Sequence, residues 1–357
     1  MQRFLLLLFF CALFSTTATA QVKQQKLDRL FTDLAASGDF NGSVLVAKGD
    51  DILYERYVGY ADHENKRKIT GNTIFELASM GKQFTAMGIM ILAEQKELDF
   101  DDPVSSHLTD FPYPQITIRH LLNMASGIPD YLKFSDQLPS GKIPVNQDIL
   151  DFYVSEKPPL EFTPFTKFSY ANVNYVFLAS IIEKVSGEDF EDFLKTRIFD
   201  PAGMTSTRSY TSRFTQGEEL PNYAYPYVQV NGQPVKAEMN AATSYVISAS
   251  GLEGDGSIVS TPYDLLKWTK GLKDHLFVTE ATLKQAYEAP VFSTNEKGEY
   301  GFGIYLGKNK VWHWGGWPGV QTAYTRYLAD DTVAIYLKNV ESYNWKWIGK
   351  FERLVSK

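Results

Sequence analysis

Residues 22–36 interleave charged side chains with Leu27, Leu30, Phe31 and Leu34. That spacing gathers the apolar positions on one face and predicts an amphipathic surface helix. Two β-rich runs follow, Gly42 to Lys48 and Ile52 to Tyr60, around the turn-forming trio Gly49-Asp50-Asp51, and predict a hairpin. From Ala78 to Gln95, Phe84, Met87, Gly88, Ile91 and Leu92 keep the i, i+3, i+4 rhythm of a helix. Ala86, Ile89 and Met90 make its other faces apolar as well, so this helix is read as buried. Residues 101–242 are punctuated by proline and hold the helices Ile118 to Met124 and Tyr175 to Val185, with Gly187 where a C-cap belongs. After Gly256 come a helix from Pro262 to Leu272 and the strands Gly301 to Gly307 and Val311 to Trp314. A strand pair around Asp330-Asp331 completes an antiparallel meander, and Tyr343 to Leu354 closes the chain as a helix.

Strands at both ends with helices between them predict an α+β fold. It consists of one antiparallel sheet of N- and C-terminal strands flanked by helices, with an inserted, mainly helical lobe. Residues 21–77 and 245–357 form the α/β lobe and residues 78–244 the helical lobe of a single domain spanning 21–357. With 357 residues, 44% of them hydrophobic, the chain can bury a core of that size. Charged residues at 22% and aromatics at 14% exclude a disordered or fibrous chain. The net charge of −7, with no Lys/Arg-dense stripe, argues against nucleic acid as a partner.

The first twenty residues change the picture of where the protein works. Arg3, the apolar run Phe4 to Phe14 and the small-x-small Ala18-Thr19-Ala20 make a secretory signal peptide, residues 1–20, cleaved after Ala20. About eleven apolar residues are too few to cross a bilayer, and no later stretch is long enough. The expected location is the bacterial periplasm or the medium. The single cysteine, Cys11, lies inside this segment behind the bulky Phe10, which disfavours lipoprotein processing. The mature chain is therefore expected to have no disulfide, no thiol nucleophile and no cysteine metal site.

Three short motifs carry candidate chemistry. In Ser79-Met80-Gly81-Lys82, serine and lysine three apart share a helix face, and at a first turn free N–H groups favour developing negative charge. A lysine on a buried helix has a lowered pKa and can accept the serine proton. Taken alone, the pattern also fits an N-cap serine with a snorkelling lysine. Tyr170-Ala171-Asn172 offers a phenol that relays protons and an amide that both donates and accepts, although Asn172 also suits an N-cap. His313-Trp314-Gly315-Gly316 ends a predicted strand with glycines that let a backbone N–H approach an anionic centre. No H-E-x-x-H and no G-x-S-x-G occurs, which lowers the zinc-peptidase and α/β-hydrolase readings. No metal and no cofactor is expected.

Taken in the order S-x-x-K, Y-x-N, H-x-G, the three motifs resemble the serine β-lactamase and penicillin-binding-protein superfamily. The likeness is to its class C-like branch of β-lactamases, D-alanyl-D-alanine carboxypeptidases, D-aminopeptidases and related esterases. Residues 116–122, Ser126 to Tyr131, Phe168 to Tyr175, Val185 to Gly187 and Tyr300 to Gly303 also look like that family. The resemblance implies a β-lactamase/transpeptidase-like fold and an acyl-enzyme on Ser79, with Lys82 and Tyr170 moving the proton. It implies that Asn172 holds the substrate amide and that the N–H groups of Ser79 and Gly316, with Gly315 beside them, receive the oxyanion. His313 replaces the lysine of the K-T-G found in class C β-lactamases. A neutral or partly charged histidine holds a carboxylate less firmly, which shifts weight from β-lactams toward peptidase or esterase chemistry. If His313 does contact a substrate carboxylate, KM should rise across neutral pH. Phe165 stands where relatives usually have glycine, and Asn123-Met124 replaces a commoner Thr-His pair. The expected substrate is a small molecule or peptidoglycan-derived peptide, amide or ester. The alternatives are a penicillin-binding sensor or scaffold without efficient turnover, and a class C-like β-lactamase. The oligomeric state is open.

Overall fold

The computed structural model describes residues 21–138, 141–293, 298–341 and 344–356; the signal peptide expected at residues 1–20 lies outside them. Residues 21–36 form helix α1. The main sheet takes β1 (Gly42–Lys48) and β2 (Asp51–Val58) from the N-terminal region. A short strand β3 (Phe75–Glu76) leads into helix α2 (Lys82–Glu94). The helical lobe contributes α3 (Ile118–Leu122), α4 (Asn146–Glu156) and α5 (Val173–Ser186). Strands β4 (Arg208–Ser209) and β5 (Ile258–Ser260) pair β3 in the order β3-β5-β4, and α6 (Pro262–Lys273) follows. The chain ends with β6 (Tyr305–Leu306), β7 (Lys310–Trp317), β8 (Val320–Tyr327), β9 (Thr332–Lys338) and helix α7 (Lys346–Val355).

The main sheet runs β6-β7-β8-β9-β1-β2 and is antiparallel throughout. The N- and C-terminal strands meet where β1 pairs β9, Gly42 opposite Lys338 and Lys48 opposite Thr332. Side chains alternate between faces along a strand. Val44, Val46, Ala334 and Tyr336 therefore join Leu27, Leu30 and Phe31 of α1 and Trp347 and Phe351 of α7 on one face. Leu45, Ala47, Val333, Ile335 and Leu337 face the larger core, shared with α2, α5 and α6. With helices on both faces these strands read as continuous apolar runs rather than alternating ones.

Two expected elements differ. The span Ala78 to Gln95 is not one helix: Ala78–Gly81 forms a single 3-10 turn, and the α-helix starts at Lys82. The cause lies just upstream, where the Leu77 N–H donates to the Ile258 carbonyl at 2.8 Å and the Leu77 carbonyl accepts from Thr322 Oγ1 at 2.8 Å. The backbone must leave strand geometry and enter a helix within a few residues, and Ala78 adopts a left-handed φ of +48° to do so. A non-glycine residue there is strained, and such strain persists only where the surroundings over-determine it. The second difference is Gly301 to Gly307, where only Tyr305–Leu306 is strand. The Gly301 N–H turns back to the Ile304 carbonyl at 2.8 Å, so the segment closes on itself before it can pair.

Candidate active site

Ser79, Asn172 and Gly316, far apart in sequence, line one cleft of about 490 Å³. Each arrives on a different support. The strained turn between β3 and α2 presents Ser79, the start of α5 presents Asn172, and the end of β7 presents Gly316. Strand β6 covers β7 only at Val311 and Trp312, so from His313 onward β7 is an edge beside the Ser79 turn.

Lys82 lies beneath the floor of the cleft with no exposed surface. All three of its ammonium protons are placed: on Ser79 Oγ at 3.0 Å, on Asn172 Oδ1 at 2.9 Å and on the Asp255 carbonyl at 2.5 Å. A snorkelling lysine would send its amine outward, and this one points inward at a serine. Burial pulls its pKa down from 10.5 to about 8, against the opposing pull of the Asp255 and Asp130 carboxylates. A population of free amine at neutral pH therefore sits within hydrogen-bond reach of the Ser79 hydroxyl.

Asn172 stands at the N-cap position of α5, yet its side chain makes no capping bond and accepts from Lys82 instead. Its backbone N–H donates to Asp130 Oδ2. The Tyr170 hydroxyl is buried without a well-formed partner and lies beside Ser79, with Lys82 Nζ 5.1 Å from its ring centroid. Burial pushes the phenol well above its ordinary pKa, so it rests protonated, able to donate a proton in a relay but not to begin as a phenolate.

His313 does not reach the cleft. It is 1% exposed, its Nδ1 lies 2.7 Å from the Trp314 carbonyl and its Nε2 lies 2.9 Å from the Tyr300 hydroxyl. A carbonyl can only accept, so Nδ1 carries the proton and Nε2 accepts from Tyr300. Burial, with Lys82 nearby, lowers its pKa to about 3. Both nitrogens are occupied and the ring is neutral, so the expectation of a carboxylate contact, with its rise of KM across neutral pH, is corrected. The histidine backs the Tyr170 ring at a centroid distance of 6.3 Å. Gly315 also departs from its expected place beside the substrate, being buried against the Ser79 turn. A Cβ there would lie 2.0 Å from the Leu77 carbonyl oxygen, so glycine is what lets β7 dock on that turn. Gly316 remains on the cleft side.

The two unusual positions of the sequence acquire a physical reason. Phe165 has φ +61°, a conformation that favours glycine, and its ring is held between His120 and Phe292 at centroid distances of 5.3 and 5.6 Å. Asn123 Nδ2 donates to the Tyr300 carbonyl at 3.1 Å, and Tyr300 in turn donates to His313. Met124, at φ +54°, accepts a contact from Asn174 Nδ2 at 3.3 Å through its sulfur.

Sequence reasoning passed over Asp130, Tyr131 and Asp255. The first two sit in a segment noted for family likeness, and Asp255 is a lone carboxylate between Gly254 and Gly256. No spacing rule connects them, because they meet only in three dimensions.

The Beta-lactamase family model matches residues 27–354. The chain belongs to that family. Penicillin-binding protein 4* of Bacillus subtilis (strain 168) is 42% identical over 329 residues, covering 90% of this chain and 73% of its own. The penicillin binding protein from Bacillus halodurans superposes with a TM-score of 0.77 at 25% identity, covering 91% of this chain and 98% of that one. D-amino acid amidase from Ochrobactrum anthropi SV3, complexed with L-phenylalanine amide, gives a TM-score of 0.74 at 25% identity over 95% of this chain and 97% of its own. The protein is a serine hydrolase of the β-lactamase family with that family's α+β fold. No described helix is long and apolar enough to cross a membrane.

Proposed function

We propose that the protein is an exported hydrolase acting through a Ser79 acyl-enzyme on amides, peptides or esters of D-amino-acid or cell-wall origin. The observation that carries this reading is a fully buried Lys82 whose Nζ lies 3.0 Å from Ser79 Oγ. The free amine takes the Ser79 proton as Oγ bonds to the substrate carbonyl carbon. The charge that moves to the carbonyl oxygen meets the backbone N–H groups of Ser79 and Gly316. Lys82 then returns its proton through the Tyr170 phenol to the leaving nitrogen or oxygen, and water repeats the sequence in reverse to free Ser79.

The charge of the cleft narrows the substrate. Glu76, Glu238, Asp255 and Glu341 line it, and the one cationic lining residue among those described, Arg213, is paired with Glu238 at 2.5 Å. With His313 neutral and buried, no cation among the described lining residues is free to receive a substrate carboxylate. This favours amide or ester substrates without a terminal carboxylate over carboxypeptidase and β-lactam substrates, in keeping with the likeness to the amidase.

The test is turnover of p-nitrophenyl esters, D-amino-acid amides and D-Ala-D-Ala peptides, with Ser79→Ala as control. Loss of the nucleophile should cost about 10³ to 10⁶ in rate. Activity indifferent to Ser79→Ala would sink the assignment. N-terminal sequencing of protein recovered outside the bacterial cytoplasm, expected to begin at Gln21, tests export.

A further inference from the structure

Around Lys82 the hydrogen bonds close into a ring drawn from four separate chain segments. Lys82 Nζ donates to the Asp255 carbonyl and to Asn172 Oδ1. The Asn172 N–H donates to Asp130, and the adjacent Tyr131 donates its hydroxyl to Asp255 Oδ2 at 2.9 Å. Tyr131, Asp255 and Lys82 are all buried.

The placement of Asp255 is forced by its neighbours. Gly254 has φ +94°, and a Cβ there would lie 2.3 Å from the Tyr175 carbonyl oxygen and 2.6 Å from Ala179 Cβ, so only glycine lets this loop lie against α5. Thr85 Oγ1 of α2 donates to the Gly254 carbonyl at 2.7 Å. Asn146 of α4 brackets Glu253, accepting its N–H at 2.8 Å and donating to its carbonyl at 3.2 Å. A loop tied to three helices holds its middle residue without freedom to drift.

We propose that Asp255, held by Tyr131, is a positioning residue of the nucleophile: its carbonyl aims the Lys82 amine at Ser79, and its carboxylate supplies the counter-charge for the ammonium formed there. This rests on the reading of Lys82 as the base. When Ser79 Oγ bonds to the carbonyl carbon, its proton moves to Lys82, and a full positive charge appears in a buried site. Burial pushes the Asp255 carboxyl up, and the Lys82 charge and the Tyr131 hydrogen bond oppose that push. The ionised carboxylate stabilises the ammonium in the transition state more than the neutral amine before it, which is the condition for acceleration. Of the other groups facing Lys82, only Asp130 also carries a carboxylate. Ser79 and Asn172 are neutral, Tyr170 and Tyr175 are phenols kept protonated by burial, and His313 is neutral. Asp130 is the remaining carboxylate, and its Oδ2 is engaged by the Asn172 N–H. Asp255 and Asp130 both hold the Lys82 pKa above the value burial alone would give.

The test reads Lys82 directly. In the intact protein with labelled lysines, the Lys82 signal, identified by its loss in Lys82→Ala, is titrated by NMR. Asp255→Asn keeps an acceptor for Tyr131 and removes only the charge. Its Lys82 midpoint should fall by about one unit or more, and the acid limb of kcat/KM should move down with it while the plateau drops. Asp255→Glu should bring the midpoint back toward the parent value. Tyr131→Phe, which makes Asp255 easier to protonate, should shift the midpoint the same way by less. A midpoint unmoved or raised in Asp255→Asn overturns the proposal, and so does an unmoved midpoint in Tyr131→Phe should Asp255→Asn not fold. Failure of the hydrolase reading shows separately, as turnover insensitive to Ser79→Ala.

Discussion

Replacing Gly315 with alanine isolates the contact that joins the sheet to the nucleophile turn. The added Cβ would sit 2.0 Å from the Leu77 carbonyl oxygen and 2.4 Å from Thr322 Oγ1, against an ordinary contact of 3.4 Å or more. Strand and turn must therefore part by roughly 1.4 Å, the difference between 3.4 and 2.0 Å. Neither side yields cheaply. The oxygen belongs to backbone that also accepts from Thr322, and Gly315 is paired opposite Thr322 in the sheet. Overpacking of this kind costs about 1–3 kcal/mol. At about 1–2 °C per kcal/mol for a domain of this size, the melting temperature should fall by roughly 1–6 °C. The same displacement moves Gly316 away from Ser79, and a misplacement of about 1 Å at a reacting centre costs on the order of 10² in rate. Gly316→Ala is the control, since its Cβ meets only the Trp314 ring, at 3.1 Å, and a side chain can swing aside. Thermal melts and kcat on an ester substrate should show Gly315→Ala impaired in both and Gly316→Ala close to the parent in stability. A Gly315→Ala protein with parental melting temperature and kcat would refute the argument that glycine is required for this docking.

Two further outcomes are expected. Because the free Lys82 amine is the competent form and its pKa lies at about 8, kcat/KM should rise with pH, reaching about one-tenth of its plateau at pH 7. With its pKa near 3, His313 should contribute no inflection between pH 5 and 7, and a kcat/KM profile flat from pH 7 to 9 would overturn the choice of Lys82. On stability, Lys157 ends α4 with φ +46° on an exposed site, so Lys157→Gly should stabilise by about 0.5–1 kcal/mol. Thermal denaturation checks this, and a lowered melting temperature would contradict it.

The sequence alone determined the parts whose signal is local or periodic. The buried helix after Ser79, the terminal strands, the amphipathic ends and the three motifs follow from side-chain spacing that any fold must respect. Ser79, Lys82, Tyr170 and Asn172 were legible because a helix or a tight turn fixes neighbours a few residues apart. What the sequence left undecided depends on where distant segments meet. His313 looked like a replacement for a carboxylate-binding lysine, but the side of a strand a residue faces, and whether a tyrosine fills its second nitrogen, are decided by packing. Gly315 looked like part of an anion cradle, and the closeness of Leu77 made it a docking surface instead. The strain at Ala78 arises from hydrogen bonds to Ile258 and Thr322, far along the chain. Asp255 came last into view, because a carboxylate between two glycines carries no periodic signal. It gains meaning only when Tyr131 and Lys82 are brought to it, and low-dielectric burial then makes their charges matter to one another.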